Sequence, residues 1–123
     1  NKEGDRKELF ADLSSEAITG QFEGVMCLAF HPNFLKNRKY YLNYHVRAQG
    51  AVSPVIVERR ATKDLRRDAG GASKRLLQII QPTDLHWGGM LAFGPDGHLY
   101  VGAGDGGPQE DPRGHGQDLS TFL

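Results

Sequence analysis

The sequence predicts an all-β fold of the β-propeller type, on the basis of a long internal repeat, strand-like segments and a turn-rich composition. Residues 28–33 read Leu-Ala-Phe-His-Pro-Asn, and residues 91–96 repeat the pattern as Leu-Ala-Phe-Gly-Pro-Asp. A period of roughly 60 residues built from strand-like segments is typical of stacked small sheets. The 16 glycines and 6 prolines of the 123-residue chain suit tight turns. The chain has room for about two blades of four antiparallel strands.

Residues 24–82 are predicted to form the first blade, after a lead-in strand or loop at 1–23. Its four strands are expected where β-branched and aromatic residues concentrate, at 25–30, 40–46, 55–61 and 76–80. Pro32 and Asn33 predict a turn after the first strand, because proline removes a ladder donor and asparagine tolerates turn geometry. The charged third connection, at 63–73, is expected to be a mobile surface loop.

The next blade is predicted to begin at residue 86 and to continue through 86–123. One strand is expected at 90–93 and another at 98–102, separated by Gly-Pro-Asp-Gly at 94–97. In such a turn, proline presets φ, aspartate caps the turn and glycine accepts a positive φ. These residues therefore predict a hairpin that opens the second blade.

Charge and hydropathy argue against two classes of partner. The 15 basic and 15 acidic side chains balance, so no global field favours nucleic acid or an anionic membrane. No apolar stretch approaches the ~20 residues needed to cross a bilayer.

The charged residues between 58 and 68 are interpreted as a solvated strand end and loop. Cys27, the single cysteine, is interpreted as a buried structural thiol.

The number of blades bears on how the chain is completed. A closed propeller needs about four or more blades, so the chain is expected to be a portion of a larger protein. Its open sheet edge and blade face would then be covered by the remaining blades or by other chains. A different possibility is that three copies of the chain complete one ring.

His86 is the first candidate for chemistry, because it lies between the two predicted blades, where loops contribute to the axial face that binds ligands. An imidazole has an ordinary pKa near ~6.5 and can take a proton at physiological pH. Trp87 either stacks on a ring-shaped ligand or packs between the blades. The glycines at 88–89 and 102–107 are interpreted as letting the backbone approach a flat ligand.

A polar loop follows the second hairpin strand, and His115 and Gln117 are its candidate ligand contacts. The loop lacks the alternating Asp/Asn spacing of a calcium loop, so no metal site is predicted there. The other histidines, His31, His45 and His98, are interpreted as structural, because a zinc site requires further ligands at close spacing.

Two longer motifs extend over both predicted blades. One reads His-Trp-Gly-Gly-Met-Leu-Ala-Phe-Gly-Pro-Asp-Gly at 86–97 and continues as Gly-Asp-Gly-Gly at 104–107. The other reads Glu-Gly-Val-Met-Cys-Leu-Ala-Phe-His-Pro-Asn-Phe at 23–34. Both resemble motifs of the glucose/sorbosone dehydrogenase family of quinoprotein aldose dehydrogenases. The resemblance covers nearly the whole chain and implies a six-bladed propeller. Leu85 and Trp87 stand where the family commonly has Asn before the histidine and Asn or Gln after it.

The resemblance implies roles for particular residues. His86 would be the general base that takes the proton of a sugar's anomeric hydroxyl while hydride passes to pyrroloquinoline quinone (PQQ). Asp105 would orient the imidazole and stabilise its protonated form. Trp87, His115 and Gln117 are candidate substrate contacts, with Trp87 and Gln117 also candidate cofactor contacts. The groups that bind PQQ and calcium in the family belong to later blades, beyond this sequence.

The implied protein is a periplasmic or secreted dehydrogenase that oxidises an aldose sugar or a related hydroxyl compound. Its partners would be the sugar and an electron acceptor such as a cytochrome or a quinone. The alternative is a non-catalytic propeller that binds carbohydrate or protein, as in the hedgehog-interacting proteins, because a fold does not fix a function. Basic residues converging on the axial pocket would favour the enzyme.

Overall fold

The computed structural model describes residues 7–123, and its regular structure there consists almost entirely of antiparallel strands. The strands are β1 (Val25–Phe30), β2 (Lys39–Ala48), β3 (Ala51–Arg60), β4 (Lys74–Gln78), β5 (Gly88–Phe93) and β6 (Leu99–Ala103). A single helical turn, α1 (Phe34–Asn37), follows β1, and a 3-10 turn spans His115–Gln117. The predicted lead-in at 1–23 lies partly outside the described residues, and its described part is loop and turn. None of the helical segments in 7–123 is long and apolar enough to cross a membrane.

The first four strands form one sheet in the order β1-β2-β3-β4, as predicted for a blade. β2 and β3 are longer than expected and pair over ten positions, from Lys39↔Arg60 to Ala48↔Ala51. The extension arises at the two-residue turn Gln49–Gly50, where φ is 53° and 85°. Positive φ at both turn residues matches the right-handed twist of the flanking strands, so the ladder continues up to the turn.

Alternate residues of the central strands build two cores, one on each face of the sheet. Tyr40, Leu42, Tyr44, Val55 and Val57 form the first, against which lead-in side chains pack. The second core joins the sheet to the following hairpin and consists of Tyr41, Ile56, Ile79 and Leu91. Cys27, expected to be buried, is half-buried against this second core, with its Sγ 3.6 Å from the Leu91 carbonyl oxygen.

The interpretation of the charged segment near Arg59 as a solvated strand end and loop is wrong at two residues. Arg59 is buried and pairs with Asp68 (Nη2–Oδ2 2.5 Å) and Glu16 (Nη1–Oε1 2.5 Å). Tyr40 donates its hydroxyl to Asp68 over 2.7 Å, and the Asp68 backbone N–H donates to the Phe10 carbonyl. A buried guanidinium is tolerated when charged partners surround it. The 63–73 connection, expected to be mobile, is therefore fastened to the sheet at Asp68.

β5 and β6 form a separate two-stranded sheet, and its turn confirms the predicted hairpin. Gly97 has a φ of 80° and donates its N–H to Gly94, while the Asp96 carboxylate accepts the His98 N–H over 3.0 Å. Apart from the 3-10 turn, residues 104–123 are loop. The division of the chain into a blade at 24–82 and a second unit at 86–123 stays a prediction.

Candidate functional site

His86 and Asp105 meet at the base of the β5–β6 hairpin. One residue, Trp87, separates His86 from the start of β5, and one residue, Gly104, separates the end of β6 from Asp105. The His86 Nδ1 lies 2.8 Å from Asp105 Oδ1, and the two side chains retain 34% and 22% of their exposure. The antiparallel pairing of Gly88 with Ala103 brings the flanking segments together. The pair is thus fixed by the hairpin yet open to a ligand.

The glycines next to the pair allow two backbone segments to touch. A Cβ on Gly104 would lie 1.8 Å from the His86 carbonyl oxygen, and one on Gly88 would lie 2.5 Å from the Gly102 carbonyl oxygen. Neither separation is physically accessible to a side chain. The interpretation that these glycines make room for a flat ligand is therefore wrong for Gly88 and Gly104, because the chain itself fills that space.

Two further contacts hold the loop that carries His86. Asp84 accepts the Val52 N–H at its Oδ1 over 2.8 Å, which ties the loop to β3. The Thr83 hydroxyl donates to the Gly106 carbonyl over 2.5 Å. Sequence reasoning missed both residues, although aspartate and threonine in a turn commonly bond backbone groups.

The Asp105 carboxylate is the electrostatic partner of the imidazole. Its Oδ1 also accepts the Gly107 N–H over 2.9 Å. This backbone bond, and secondarily the His86 ring, hold the pKa of Asp105 below its ordinary value. Because the carboxylate is ionised at neutral pH, it accepts a hydrogen bond from a protonated Nδ1 of His86 and leaves the Nε2 lone pair available. No residue in 7–123 forms a hydrogen bond with that Nε2.

The loop after β6 folds back toward the pair. His115 Nδ1 lies 3.3 Å from the Asp105 carbonyl oxygen, and the Asp111 carboxylate accepts the backbone N–H groups of His115 and Gly116 over 2.9 Å. Arg113 donates to the Gly107 carbonyl over 2.8 Å. His115 is thus brought beside Asp105, and Asp111 and Arg113 are supports that sequence reasoning did not identify.

The remaining candidates divide between surface and interior. Gln117 is exposed, and its amide donates to the Gly116 carbonyl over 3.0 Å. Trp87 is only 9% exposed, and its ring lies edge-on to His45 with 4.5 Å between ring centroids. Of the two interpretations of Trp87, this geometry favours packing.

Other parts of the described chain are weaker candidates for a ligand site. Within 7–123, no three His, Cys, Asp or Glu side chains are gathered in a way that could hold a metal ion. A depression of about 460 Å³ is lined partly by Phe10, Arg59 and Asp68 on another part of the sheet. The buried cation in its lining, Arg59, is already paired with carboxylates, so the depression is a weaker candidate than the His86–Asp105 pair.

Comparison with known proteins gives one family and several relatives. The family model for glucose/sorbosone dehydrogenase matches residues 1–123. Hedgehog-interacting protein from Mus musculus is 34% identical over 111 residues, which cover 85% of this chain and 16% of that protein. The chain thus spans a small part of the length of this relative.

Solved structures confirm the predicted all-β propeller fold. An oxidoreductase described as a glucose dehydrogenase from Thermus thermophilus matches with a TM-score of 0.72 and 31% identity, over 98% of this chain and 34% of that one. The apo form of the soluble aldose sugar dehydrogenase from Escherichia coli matches with a TM-score of 0.55 over 68% of this chain and 24% of that one. At 22% identity, this second match shows the fold alone.

Proposed function

The chain belongs to the glucose/sorbosone dehydrogenase family, and from this membership we propose that the protein oxidises an aldose sugar or a related hydroxyl compound. The observation that carries the proposal is the 2.8 Å contact between His86 Nδ1 and Asp105 Oδ1. A histidine held in this way by a carboxylate is a competent general base. We assign that role to His86 and the orienting role to Asp105.

The proton step follows from the geometry of the pair. The Nε2 of His86 takes the proton of the substrate hydroxyl, and the carbon that bears this hydroxyl loses a hydride as the carbonyl bond forms. Asp105 is ionised and stabilises the imidazolium that results. The family is generally quinoprotein, and a PQQ cofactor would supply the two-electron acceptor that receives the hydride.

The described residues fit only part of a quinone site. His86 and Asp105 supply the proton acceptor, and His115 and Gln117 are proposed to border the substrate or cofactor. The Arg113 guanidinium is the cation nearest in sequence to Asp105 in this loop, and it bonds the Gly107 carbonyl. We therefore propose that other parts of the protein bind the quinone carboxylates and calcium, and no step here depends on calcium. A periplasmic or secreted location and a cytochrome or quinone acceptor belong to the same proposal.

A non-catalytic binding propeller is the second candidate. Two observations favour it: the 34% identity to Hedgehog-interacting protein, and Leu85 and Trp87 at positions where the family commonly has polar residues. Such a protein would use the same fold to bind carbohydrate or protein without turnover.

His86→Ala in the intact protein tests the enzymatic proposal. With PQQ, calcium and a panel of aldoses, dye-coupled turnover of the variant should fall by about 10²–10⁴-fold, the usual contribution of a general base. His98→Ala is the matched control, because the His98 side chain is 80% exposed at the hairpin turn. Its turnover should equal that of the wild type.

Calorimetric titration with PQQ in the presence of calcium separates the two candidates. Stoichiometric binding with unchanged turnover in His86→Ala would remove His86 from the base role. If the wild type neither binds PQQ nor oxidises any sugar, the binding propeller becomes the better description.

A further inference from the structure

Trp87, the residue that follows the proposed base, forms a buried aromatic contact with His45. Leu85 is 50% exposed and Trp87 9%, and the side chain of His86 between them keeps 34% of its exposure. The His86 ring is therefore open to solvent while its neighbour is inserted between hairpin and sheet. Burial of an aromatic side chain of this size typically removes about 150–250 Å² from water.

His45 gives Trp87 a rigid surface to pack against. It lies in the middle of the sheet, is 0% exposed and pairs with Pro54 across the β2–β3 ladder. Its backbone N–H donates to the Gly24 carbonyl and its carbonyl accepts the Ile18 N–H. Its ring meets the Trp87 ring with an interplanar angle of 60°, an edge-to-face geometry that aromatic pairs prefer.

The backbone around Trp87 explains why an anchor is needed there. His86 has a φ of 53°, in the left-handed region, and Gly88 follows with a φ of 74°. Glycine adopts this conformation freely, whereas a residue with a side chain keeps it only when its surroundings hold it. Trp87 lies between the two and is the residue of this segment whose side chain is buried.

We infer that Trp87, packed on His45, is a positioning residue that holds the His86 backbone in its left-handed conformation and so keeps the imidazole on Asp105. The inference rests on the proposed function for its kinetic consequence, because positioning matters for turnover only if His86 is the base. Its structural consequence, the state of the His86 ring, can be measured in the absence of any activity.

The direct test is the tautomer of His86, read from ¹⁵N chemical shifts of the histidine rings in the intact protein. The contact with Asp105 holds the proton on Nδ1 in the wild type. Trp87→Ala removes the anchor, so the His86 signal should shift to a mixture that includes the Nε2–H tautomer. Met90→Ala is the matched control, because Met90 is 68% exposed on the following strand, and the His86 tautomer in this variant should be that of the wild type.

Kinetics provides the second measurement. A displacement of a catalytic group by about 1 Å can cost about 100-fold in rate, so kcat of Trp87→Ala should fall by about 10- to 100-fold, and KM should change by less than about threefold in either direction. If Trp87 instead contacts the sugar, KM should rise more than kcat falls. That result, or a folded Trp87→Ala with wild-type tautomer and kcat, would overturn the inference.

Variants that keep an aromatic ring guard against simple loss of folding. Trp87→Phe retains part of the buried ring and should show a smaller tautomer shift than Trp87→Ala. Should Trp87→Ala fail to fold, the inference is judged on Trp87→Phe and His45→Ala, and wild-type tautomers in both would reject it. Should the wild type lack dehydrogenase activity, the proposed function fails while the tautomer still decides whether Trp87 positions His86.

Discussion

The four-stranded sheet and the His86–Asp105 site are stabilised by different kinds of contact. In the sheet, β2 and β3 pair over ten positions, and central residues such as Tyr40 and Val55 are 0% exposed. At the site, the hairpin ladder is interrupted by a bulge between Gly88 and Leu91, and a few hydrogen bonds fix the pair. Many contacts stabilise the first region together. In the second, one added methyl group can displace the reacting atoms.

Gly104→Ala should produce the largest effect of these variants, and the effect should be a loss of activity. Its Cβ would lie 1.8 Å from the His86 carbonyl oxygen, so the two backbone segments must separate, and we expect the His86–Asp105 contact to be lost. Turnover of the intact protein should fall by about 10³-fold or more, within the range of losing a general base. Gly102→Ala is the control, because its Cβ would lie 3.4 Å from the Met90 Cβ, an ordinary contact. Equal turnover in both variants would contradict the steric argument.

Asp68→Ala should produce the reverse pattern, with a loss of stability and little change in kcat. It leaves the buried Arg59 guanidinium without its bidentate partner, and breaking such a pair costs about 3–5 kcal/mol. Urea denaturation of the intact protein measures this loss. Lys39→Ala breaks the Lys39–Glu58 pair, in which the lysine side chain is 28% exposed, and should cost about 1 kcal/mol or less. Similar losses in the two variants would show that the Arg59 cluster is no stronger than a surface pair.

The smallest effect is expected from pH, acting through His45. Burial lowers the pKa of His45 below its ordinary value, against an opposing effect of the Glu23 carboxylate. Below pH ~6.5 the unfolded chain therefore binds more protons than the folded chain. The stability that neutral His45 contributes is fully present above that pH and is lost progressively as the pH falls below it. The free energy of unfolding should decrease by at most about 1.4 kcal/mol per pH unit between about pH 6.5 and 5.

His45→Phe tests this assignment, because phenylalanine keeps an aromatic ring but cannot titrate. Denaturation at about pH 7.5 and 5.5, on either side of the ordinary histidine pKa, should show a smaller decrease for the variant than for the wild type. Carboxylates with lowered pKa values, among them Asp68 and Glu16, lose their contribution to stability only at lower pH. They therefore add little to the difference measured between these two pH values. Equal decreases in both proteins would assign the pH dependence to other groups.

Much of the sheet could be predicted from sequence, because strand signals are local. The β-branched and aromatic runs located all four strands, and Gly-Pro-Asp-Gly at 94–97 located the hairpin turn. The ion cluster could not be predicted, since Arg59 and Glu16 are 43 positions apart and no local pattern connects them. The ends of β2 and β3 were missed because Gln49–Gly50 lacks the usual asparagine or aspartate of this turn type.

The pairing of His86 with Asp105 was predictable, whereas the residues that support the pair were not. His86 was singled out by its position between the predicted blades, and the family resemblance paired it with Asp105. The structure places the two side chains in contact, and their catalytic roles stay a proposal. The roles of Gly88 and Gly104 were misread, because a glycine's sequence context does not tell whether a ligand or the chain itself fills the space of the missing side chain. Asp84 bonds a backbone group 32 positions away, which only the folded chain reveals.

One consequence of the hairpin concerns how such a protein changes during evolution. The proposed base and its carboxylate flank the same two strands, so residues 86–105 carry both members of the pair. An exchange or decay of this one contiguous segment would remove the pair together and leave the β1–β4 sheet with the core on its other face. The proposed base and its carboxylate could therefore be lost together while the β1–β4 sheet keeps its fold.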